Sequence, residues 1–291
     1  YRVVKSKNKN LELIKCDMLD NYTQKLNKKN SLIFMDTQGH EPLVFLGSKK
    51  TLSKKIPIVL NALSNPCSPR SILNYMCGCD TSKPQVRQSL NTEAKVEPLL
   101  HIWFASGTTL DNFCQPFAEV VRKLKTDPPV LIGDAWDSLD GKVAKVLLAD
   151  QLSRSCFRGT SEAFSFDIIA QNLVHELFSE KMIEKTLKLP AAFLYLLPWA
   201  LAHSEKLKDL DLACEFINKS INAYPNFSLF KGRNKQAVNQ HRQVLEKFGR
   251  YPQRNAEFGR MNTEAEQIWL DDKENLPMWA GGKLSFDKNI L

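Results

Sequence analysis

The sequence lacks any run of the roughly 18 to 20 apolar residues that a helix needs to cross a lipid bilayer. The nearest stretch, residues 189–202, is shorter and contains Pro190 and Pro198. It therefore predicts a buried helix of the core, and we expect no transmembrane span.

The spacing of a disulfide framework is also missing. The seven cysteines are an odd number without regular intervals, which favours a reducing compartment. Cys67, Cys77 and Cys79 are the only closely spaced set. With Cys16 or His40 as a fourth ligand this set could bind zinc, and the alternative is free thiols.

Glycine motifs for nucleotide binding are absent as well. Neither G-x-G-x-x-G nor G-x-x-x-x-G-K-[ST] occurs, which disfavours the nucleotide-dependent folds that these loops define. No G-x-S-x-G turn is present to expose a nucleophilic serine. We predict no cofactor, and we favour a role other than catalysis.

Acidic residues are scarce in the first third of the chain. Residues 1–90 contain 15 Lys and Arg against 6 Asp and Glu, whereas residues 91–291 contain 25 against 26. The net charge of +8 thus comes from a basic extension on a nearly neutral body. The extension suits an acidic protein surface, an anionic lipid or RNA, or it is a solvated lysine-rich surface. RNA has the least support, since interleaved aromatic residues for base stacking are missing.

The sequence opens at Tyr1 without a methionine. We expect a leader to precede it and a partner to hold the basic extension in place, and an arbitrary fragment boundary is the alternative. Import into the mitochondrion followed by assembly into a large complex would account for both features. We therefore predict a mitochondrial location, with the cytoplasm as the alternative.

Composition divides the chain into a basic extension, a body and a C-terminal tail. In the extension, residues 31–35 and 43–46 predict two short strands on either side of a glycine-containing turn, which together form a β-hairpin. Residues 64–92 are rich in proline and serine, so we expect an irregular linker and a domain boundary there. The three segments are residues 1–92, 93–275 and 276–291.

The body is predicted to be all-α. Its apolar residues recur at steps of three and four, for example at Phe113, Phe117 and Val120, as on one face of a helix. Successive helices with short loops predict antiparallel pairs, although no clean repeat of about 34 residues is visible. Asp140 is expected to cap one helix. The other predicted helices are residues 164–178, 191–201, 210–223, 236–248 and 263–270.

Three arginines and two Phe-Gly-Arg units fall within residues 248–260. Gly249 and Gly259 allow backbone angles that other residues avoid, and Pro252 interrupts a helix, so we expect a shaped loop. The sequence at 263–266 predicts a capping box and a helix start, where negative charge is favoured. The crowding therefore indicates either an anion site or a buried carboxylate network. Its members are Arg250, Arg254, Asn255 and Arg260.

A second charged set lies upstream at Asp150, Arg154 and Arg158. These residues are four apart, so a helix would place them on one face, where the arginines repel unless an anion lies beside them. Either both arginine sets converge on a phosphate or carboxylate ligand, or they pair with carboxylates such as Asp167 or Glu205 and fix the helix packing.

His203, Glu205 and His241 are the candidates for acid–base chemistry. Ser204 should point away from His203, because neighbouring residues face different sides of a helix. The alternative for each histidine is a hydrogen-bonded structural role.

Several motifs occur together between residues 98 and 272, and jointly they are specific. They are Asp150-Gln151, Arg154, Arg158-Gly159-Thr160, Ala163-Phe164, Asp167, Phe193-Leu194-Tyr195, His203-Ser204-Glu205, His241, Phe248-Gly249-Arg250, Pro252, Arg254-Asn255, Gly259-Arg260, Thr263 and Glu266. Together they resemble the family catalogued as domain of unknown function 924. The resemblance implies an all-helical, tetratricopeptide-like fold, with no established reaction.

The chain departs from that family's pattern at two places. Family members typically carry the proline two residues nearer the His-Ser-Glu motif than Pro198, and Gln253 stands where a histidine is common. The shifted proline is expected to re-aim His203 by about half a turn at roughly 3.6 residues per turn. The arginine set is intact.

Two functions follow from these features. The first is an accessory subunit of a large, mitochondrial assembly, in which the helical body is an interaction platform and the basic extension docks it. Its partners would be other protein subunits, with anionic lipid as a further contact and RNA less favoured. The second is an enzyme or small-molecule binder whose arginines hold a phosphate- or carboxylate-bearing ligand, with His203, Glu205 or His241 as acid or base.

Overall fold

A computed structural model describes residues 33–35, 58–60, 68–100, 103–104 and 111–282. From residue 68 onward the described residues form helices, helical turns and loops, so the prediction of an all-α body is confirmed. The α-helices are α1 (Pro69–Cys77), α2 (Pro84–Ser89), α3 (Glu93–Leu100), α4 (Asp111–Cys114), α5 (Ala118–Arg122), α6 (Asp134–Asp137), α7 (Leu139–Leu147), α8 (Ser153–Cys156), α9 (Asp167–Leu177), α10 (Ile183–Thr186), α11 (Ala191–Ala202), α12 (Leu207–Ala223), α13 (Arg233–Phe248) and α14 (Glu264–Asp271).

Helix α11 lies at the centre of the body. It is apolar on every side, which is typical of a helix that other elements surround. All its residues are buried except Trp199, which is half-buried. Helices α7, α9, α12 and α13 pack against it. Among the described residues, every helix falls short of the length and apolar character that crossing a lipid bilayer requires.

The predicted helices are confirmed as α9 and α11 to α14, with ends that differ by a few residues. The cap assigned to Asp140 is wrong. Helix α7 begins after Ser138, whose hydroxyl accepts from the Gly141 amide at 3.0 Å. Asp140 instead accepts two hydrogen bonds from Arg87, at 2.8 and 2.6 Å.

The interpretation of residues 64–92 as an irregular linker is wrong for the part that the structure describes. Helix α1 packs on α7, and Ile72 within it is fully buried. Ser68 caps α1, and the prolines that suggested a linker, Pro69 and Pro84, stand in the first turns of α1 and α2. Proline is tolerated there because the first amides of a helix have no partner within the helix.

Residues Ile33–Met35 form a short strand, β1, within the first predicted strand of the hairpin. It pairs in parallel with β2, Ile58–Leu60. Parallel strands are joined by a crossover and not by a hairpin turn. Residues 43–46 lie outside the described part of the chain, so the hairpin itself stays a prediction.

Candidate functional site

Asp150 lies in a π-helical turn. Residues Leu148–Leu152 wind more widely than an α-helix and connect α7 to α8. Such turns are rare in proteins, and a large share of them lie at functional sites. Asp150 is 1% exposed, and its carboxylate accepts a hydrogen bond from the Gln151 amide at 2.6 Å. A carboxylate this deeply buried needs cationic or hydrogen-bonding partners.

His203 and Arg154 supply those partners. Oδ1 of Asp150 lies 2.6 Å from Nδ1 of His203 and 3.1 Å from Nη1 of Arg154. Burial alone would raise the pKa of Asp150, but His203 and Arg154 outweigh it and hold that pKa well below its usual value. His203 directly follows α11, which continues through Pro198. Although the proline is shifted relative to the family pattern, His203 still contacts Asp150 and belongs to the charged set.

Asp167, in the first turn of α9, joins the two arginine sets. Its Oδ1 lies 2.9 Å from Nη2 of Arg154, and its Oδ2 accepts from Nη1 of Arg254 at 3.1 Å. The Phe164 ring lies against both guanidinium groups, 4.9 Å from Arg254 and 5.7 Å from Arg154. Arg254 is 6% exposed and also donates to the His203 carbonyl at 3.0 Å. The two sets thus meet at a carboxylate of the chain itself.

Arg260 fastens the loop of residues 248–260 to the end of α11. It donates two hydrogen bonds to Glu205, at 2.7 and 2.9 Å. Glu205 also accepts from the Tyr251 amide at 3.0 Å. Burial raises the pKa of Glu205, but these donors, Arg260 foremost, bring it below the usual value. Glu205, a predicted acid–base candidate, is therefore held as an ionised structural partner.

Arg250 fastens the same loop to α14. Its Nε and Nη2 donate to Glu266 at 2.6 and 2.8 Å. Glu266 completes the predicted capping box with Thr263, and it accepts from the Asn255 amide at 3.3 Å. The two glycines of the loop adopt φ angles of 69° and 62°, in the left-handed region that other residues avoid, so the predicted shaped loop is confirmed. These glycines are Gly249 and Gly259.

Arg158 does not join the site, so its predicted place beside Asp150 and Arg154 is wrong. Helix α8 ends at Cys156, and the four-residue spacing therefore does not continue along one helix. Arg158 donates to Asp111 from Nε at 2.6 Å and from Nη2 at 3.0 Å, and its side chain is 46% exposed.

His241 lies beside His203, with ring centres 5.9 Å apart. Its Nδ1 lies 2.8 Å from the carbonyl of Ala237, and because a carbonyl only accepts, the ring proton is on Nδ1. Burial lowers the pKa of His241 to about 3 and also lowers the pKa of His203. Both rings are therefore neutral near pH 7, and Nε2 of His241 carries the lone pair.

Trp279 covers His241. The two rings are nearly parallel, at 15°, with centres 3.8 Å apart. The indole Nε1 donates to Gln240 at 3.3 Å, and the Tyr251 ring approaches edge-on at 5.7 Å. Trp279 belongs to the short 3₁₀ turn Met278–Ala280, in the segment predicted only as a tail. Periodicity could not find it, because the turn is too short to show a repeating face.

Ser204 and Asp209 form a second buried polar group. Ser204 donates to Oδ2 of Asp209 at 2.5 Å, and His175 Nε2 lies 2.9 Å from Oδ1. Ser204 is thus held by a carboxylate and not by His203. Sequence reasoning missed Asp209, because an acidic residue that follows Lys206 and Lys208 at the start of a helix is normally exposed.

Cys77 and Cys79, from the predicted zinc set, are buried free thiols. Burial raises the pKa of both, so the thiolates that metals require are disfavoured. Within the described residues, His, Cys, Asp and Glu form no group of three or more that could hold a metal ion. Cys16, His40 and Cys67 lie outside the described residues.

The family model described as "Bacterial protein of unknown function (DUF924)" matches residues 91–274 of this chain. A solved structure, described as that of the protein of unknown function ATU0120 from Agrobacterium tumefaciens, is 24% identical. That match covers 58% of this chain and 88% of the other, with a TM-score of 0.45. No curated protein matches this chain.

Proposed function

This chain belongs to the family described as bacterial protein of unknown function (DUF924), and we propose that it is a non-catalytic accessory subunit of a larger protein assembly. One observation carries the proposal: every arginine of the two sets is paired with a carboxylate of the same chain. The pairs are Arg154 with Asp150 and Asp167, Arg158 with Asp111, Arg250 with Glu266, Arg254 with Asp167, and Arg260 with Glu205.

An arginine-lined ligand site would leave guanidinium groups facing a space for the anion. In this chain each of these guanidinium groups already lies within ion-pair distance of an internal carboxylate, which meets its charge requirement. Buried ion pairs add little net stability relative to apolar packing, because both charges lose their hydration, but they can fix geometry. Arg250, Arg254 and Arg260 therefore act as clamps that hold the loop of residues 248–260 and α14 on the body.

Two further features support a role as an interaction platform. Helices α11, α12 and α13 are consecutive in sequence and contact one another, as a tetratricopeptide-like array would require. Residues 1–67, which precede α1, contain 12 Lys and Arg against 5 Asp and Glu and would supply a charged extension for docking, with other subunits as partners, anionic lipid as a further contact and RNA as the least favoured one. We place the assembly in the mitochondrion on the strength of that extension.

Isolation at native abundance tests the proposal. The affinity-tagged full-length protein is purified gently from its own cells and sized by gel filtration. We expect it to migrate with other protein subunits, well above the size of a single chain. A species of single-chain size contradicts the proposal. Protease protection in intact mitochondria, with detergent lysis as the control, tests the location.

A second candidate, the ligand-binding enzyme, is favoured by one observation. Asp150, in its π-turn, holds Nδ1 of His203, which is how carboxylates orient a general-base histidine.

The enzyme candidate requires that solvent reach the neutral side chains of His203 and His241, and chemical modification tests this access. Diethyl pyrocarbonate acylates unprotonated, accessible imidazoles, and the half-exposed His175 is the internal reference. If Trp279→Ala leaves both histidines unmodified while His175 reacts, the enzyme candidate is excluded.

A further inference from the structure

We propose that the surface formed by residues 257–274 docks a basic, amphipathic segment of a partner protein. We call this the acidic docking surface. The inference rests on the proposed function, because it names the face of the platform and the chemistry of the partner.

Exposed apolar side chains mark this surface. Met261 is 88% exposed, Ile268 66% and Phe258 45%. Exposed apolar residues are ordinary on their own, but three of them in a segment that also carries a set of exposed acidic residues suit a contact with another protein. On α14, Glu266 faces the body and Ile268, about 200° further round the helix, faces away. The Phe258 ring packs on the half-buried Phe164 at 5.7 Å, which fixes its position.

The surface is held rigid from beneath. Arg250 donates two hydrogen bonds to Glu266 of this segment, and Arg260 of this segment donates two to Glu205, so two clamps join it to residues outside it. Asn255, which is 1% exposed, donates to Asn262 at 2.8 Å and ties the loop together. Association is costly when a loop must be ordered on binding. The clamps, together with the bond from Arg250 to the Met261 carbonyl at 3.0 Å, hold the backbone that carries the apolar residues, so they lower that cost.

The charge of the surface selects the partner. The exposed charged residues of α14 and the turn after it are four acidic and one basic, in a chain whose net charge is +8. Anionic lipid headgroups and nucleic acids are repelled by this sign of charge, so they are excluded as occupants. A protein segment with Lys or Arg beside apolar residues complements both features. The acidic residues are Glu264, Asp271, Asp272 and Glu274, and the basic one is Lys273.

Matched double variants of the full-length protein test the proposal. Met261→Ser with Ile268→Ser removes the apolar contact. Val130→Ser with Ile132→Ser is the control, because those side chains are also 50% and 60% exposed but lie in another loop. Each variant replaces the native protein in its own cells, and its share in the large fraction on gel filtration is measured. We expect the share of the first variant in the large fraction to fall at least about tenfold, and the share of the control to match that of the native protein.

A photo-cross-linking residue placed at position 261, and at position 132 as the control, identifies what touches the surface. We expect position 261 to join peptides of one partner that are rich in Lys or Arg and carry apolar residues. Cross-links to acidic peptides, or equal loss in both double variants, overturn the docking surface while leaving the subunit proposal intact. A native protein that migrates as a single chain overturns both. Denaturant unfolding of each variant separates lost docking from lost folding.

Discussion

Asp167 is the residue on which two buried cations depend. Its side chain is 12% exposed, and those of Arg154 and Arg254 are 17% and 8% exposed. We predict that Asp167→Asn lowers the free energy of unfolding by roughly 3 to 5 kcal/mol, because it removes the carboxylate paired with the buried Arg254 and one of the two carboxylates paired with Arg154. Urea denaturation monitored by circular dichroism measures the change.

Asp111→Asn is the matched control for this prediction. Asp111 also accepts two hydrogen bonds from an arginine, but the Arg158 side chain is 46% exposed. Water can hydrate that guanidinium when the carboxylate is lost, so we expect a cost of at most about 1 kcal/mol. Equal costs for the two variants would show that the buried network has no special role in the fold.

His241 makes the stability of the protein depend on pH. Burial lowers its pKa from 6.5 to about 3 in the folded state. Below pH 6.5 this histidine is protonated in the unfolded chain but stays neutral in the folded protein. Its contribution to the free energy of unfolding is therefore fully present above pH 6.5 and decreases as the pH falls towards 3. We predict a loss of about 1.4 kcal/mol per pH unit from this residue well below pH 6.5.

Urea denaturation at pH 7, 6 and 5 measures this loss, because most carboxylates stay ionised over that range. His203, whose pKa is also lowered by burial, adds to the same slope. In His241→Phe the slope should decrease by the contribution of one histidine, whatever the change in absolute stability. Parallel pH profiles for the variant and the native protein would contradict the assignment.

Among the elements, α6 and α7 approach each other so closely that only glycine fits between them. A Cβ atom on Gly141 would lie 2.3 Å from the carbonyl oxygen of Ala135 and 2.4 Å from that of Trp136. We predict that Gly141→Ala destabilises the protein by about 1 to 3 kcal/mol through overpacking. In a helix with open space around the glycine, the same change stabilises by roughly 0.5 to 1 kcal/mol. The sign of the change in stability therefore shows whether the two helices are in close contact.

Thermal and urea unfolding of Gly141→Ala give that sign. Asn239→Ala, at an exposed position of α13, is the control, because only helix propensity changes there and we expect a small gain. If both variants are stabilised, the close approach of α6 and α7 is not a constraint on the fold.

The helices of the body were predictable where their signals are local. The capping box at Thr263 needs only four residues of sequence, and the apolar run of α11 identifies a buried helix without any knowledge of its neighbours. The prolines before α1 and α2 misled because the same residue that breaks a helix also begins one. The π-turn at Asp150 has no local signature, so the place where the helical face changes direction could not be foreseen.

At the scale of the whole molecule, the site depends on contacts between residues far apart in sequence. The sequence identified Arg154 and Arg254 as needing an anion and offered Asp167 as one of two internal partners. It could not decide between a ligand and that carboxylate, because the outcome depends on how α9 packs against the loop. The contact of Trp279 with His241 could not be predicted for the same reason, because the two residues come together only when the chain folds.

The boundaries of the folded body can be tested by cutting the chain. The family match begins at residue 91, yet α1 lies before it and buries its apolar side chains against α7. Losing one such side chain costs about 2 to 5 kcal/mol, and a domain has only about 5 to 15 kcal/mol of stability in all. We predict that residues 68–282 unfold cooperatively, whereas residues 91–282 do not fold. The side chains concerned are Ile72, Leu73, Met76 and Cys77.

Urea unfolding and binding of a hydrophobic dye to the two fragments measure the difference. In the longer fragment, Ile72→Ala should lower stability by about 2 to 5 kcal/mol while the transition stays cooperative, since a single cavity does not remove the helix. A shorter fragment that unfolds at the same urea concentration as the longer one would place the boundary at residue 91. In that case α1 would be an accessory to the body, and the burial of its apolar side chains would contribute nothing that the remaining helices lack.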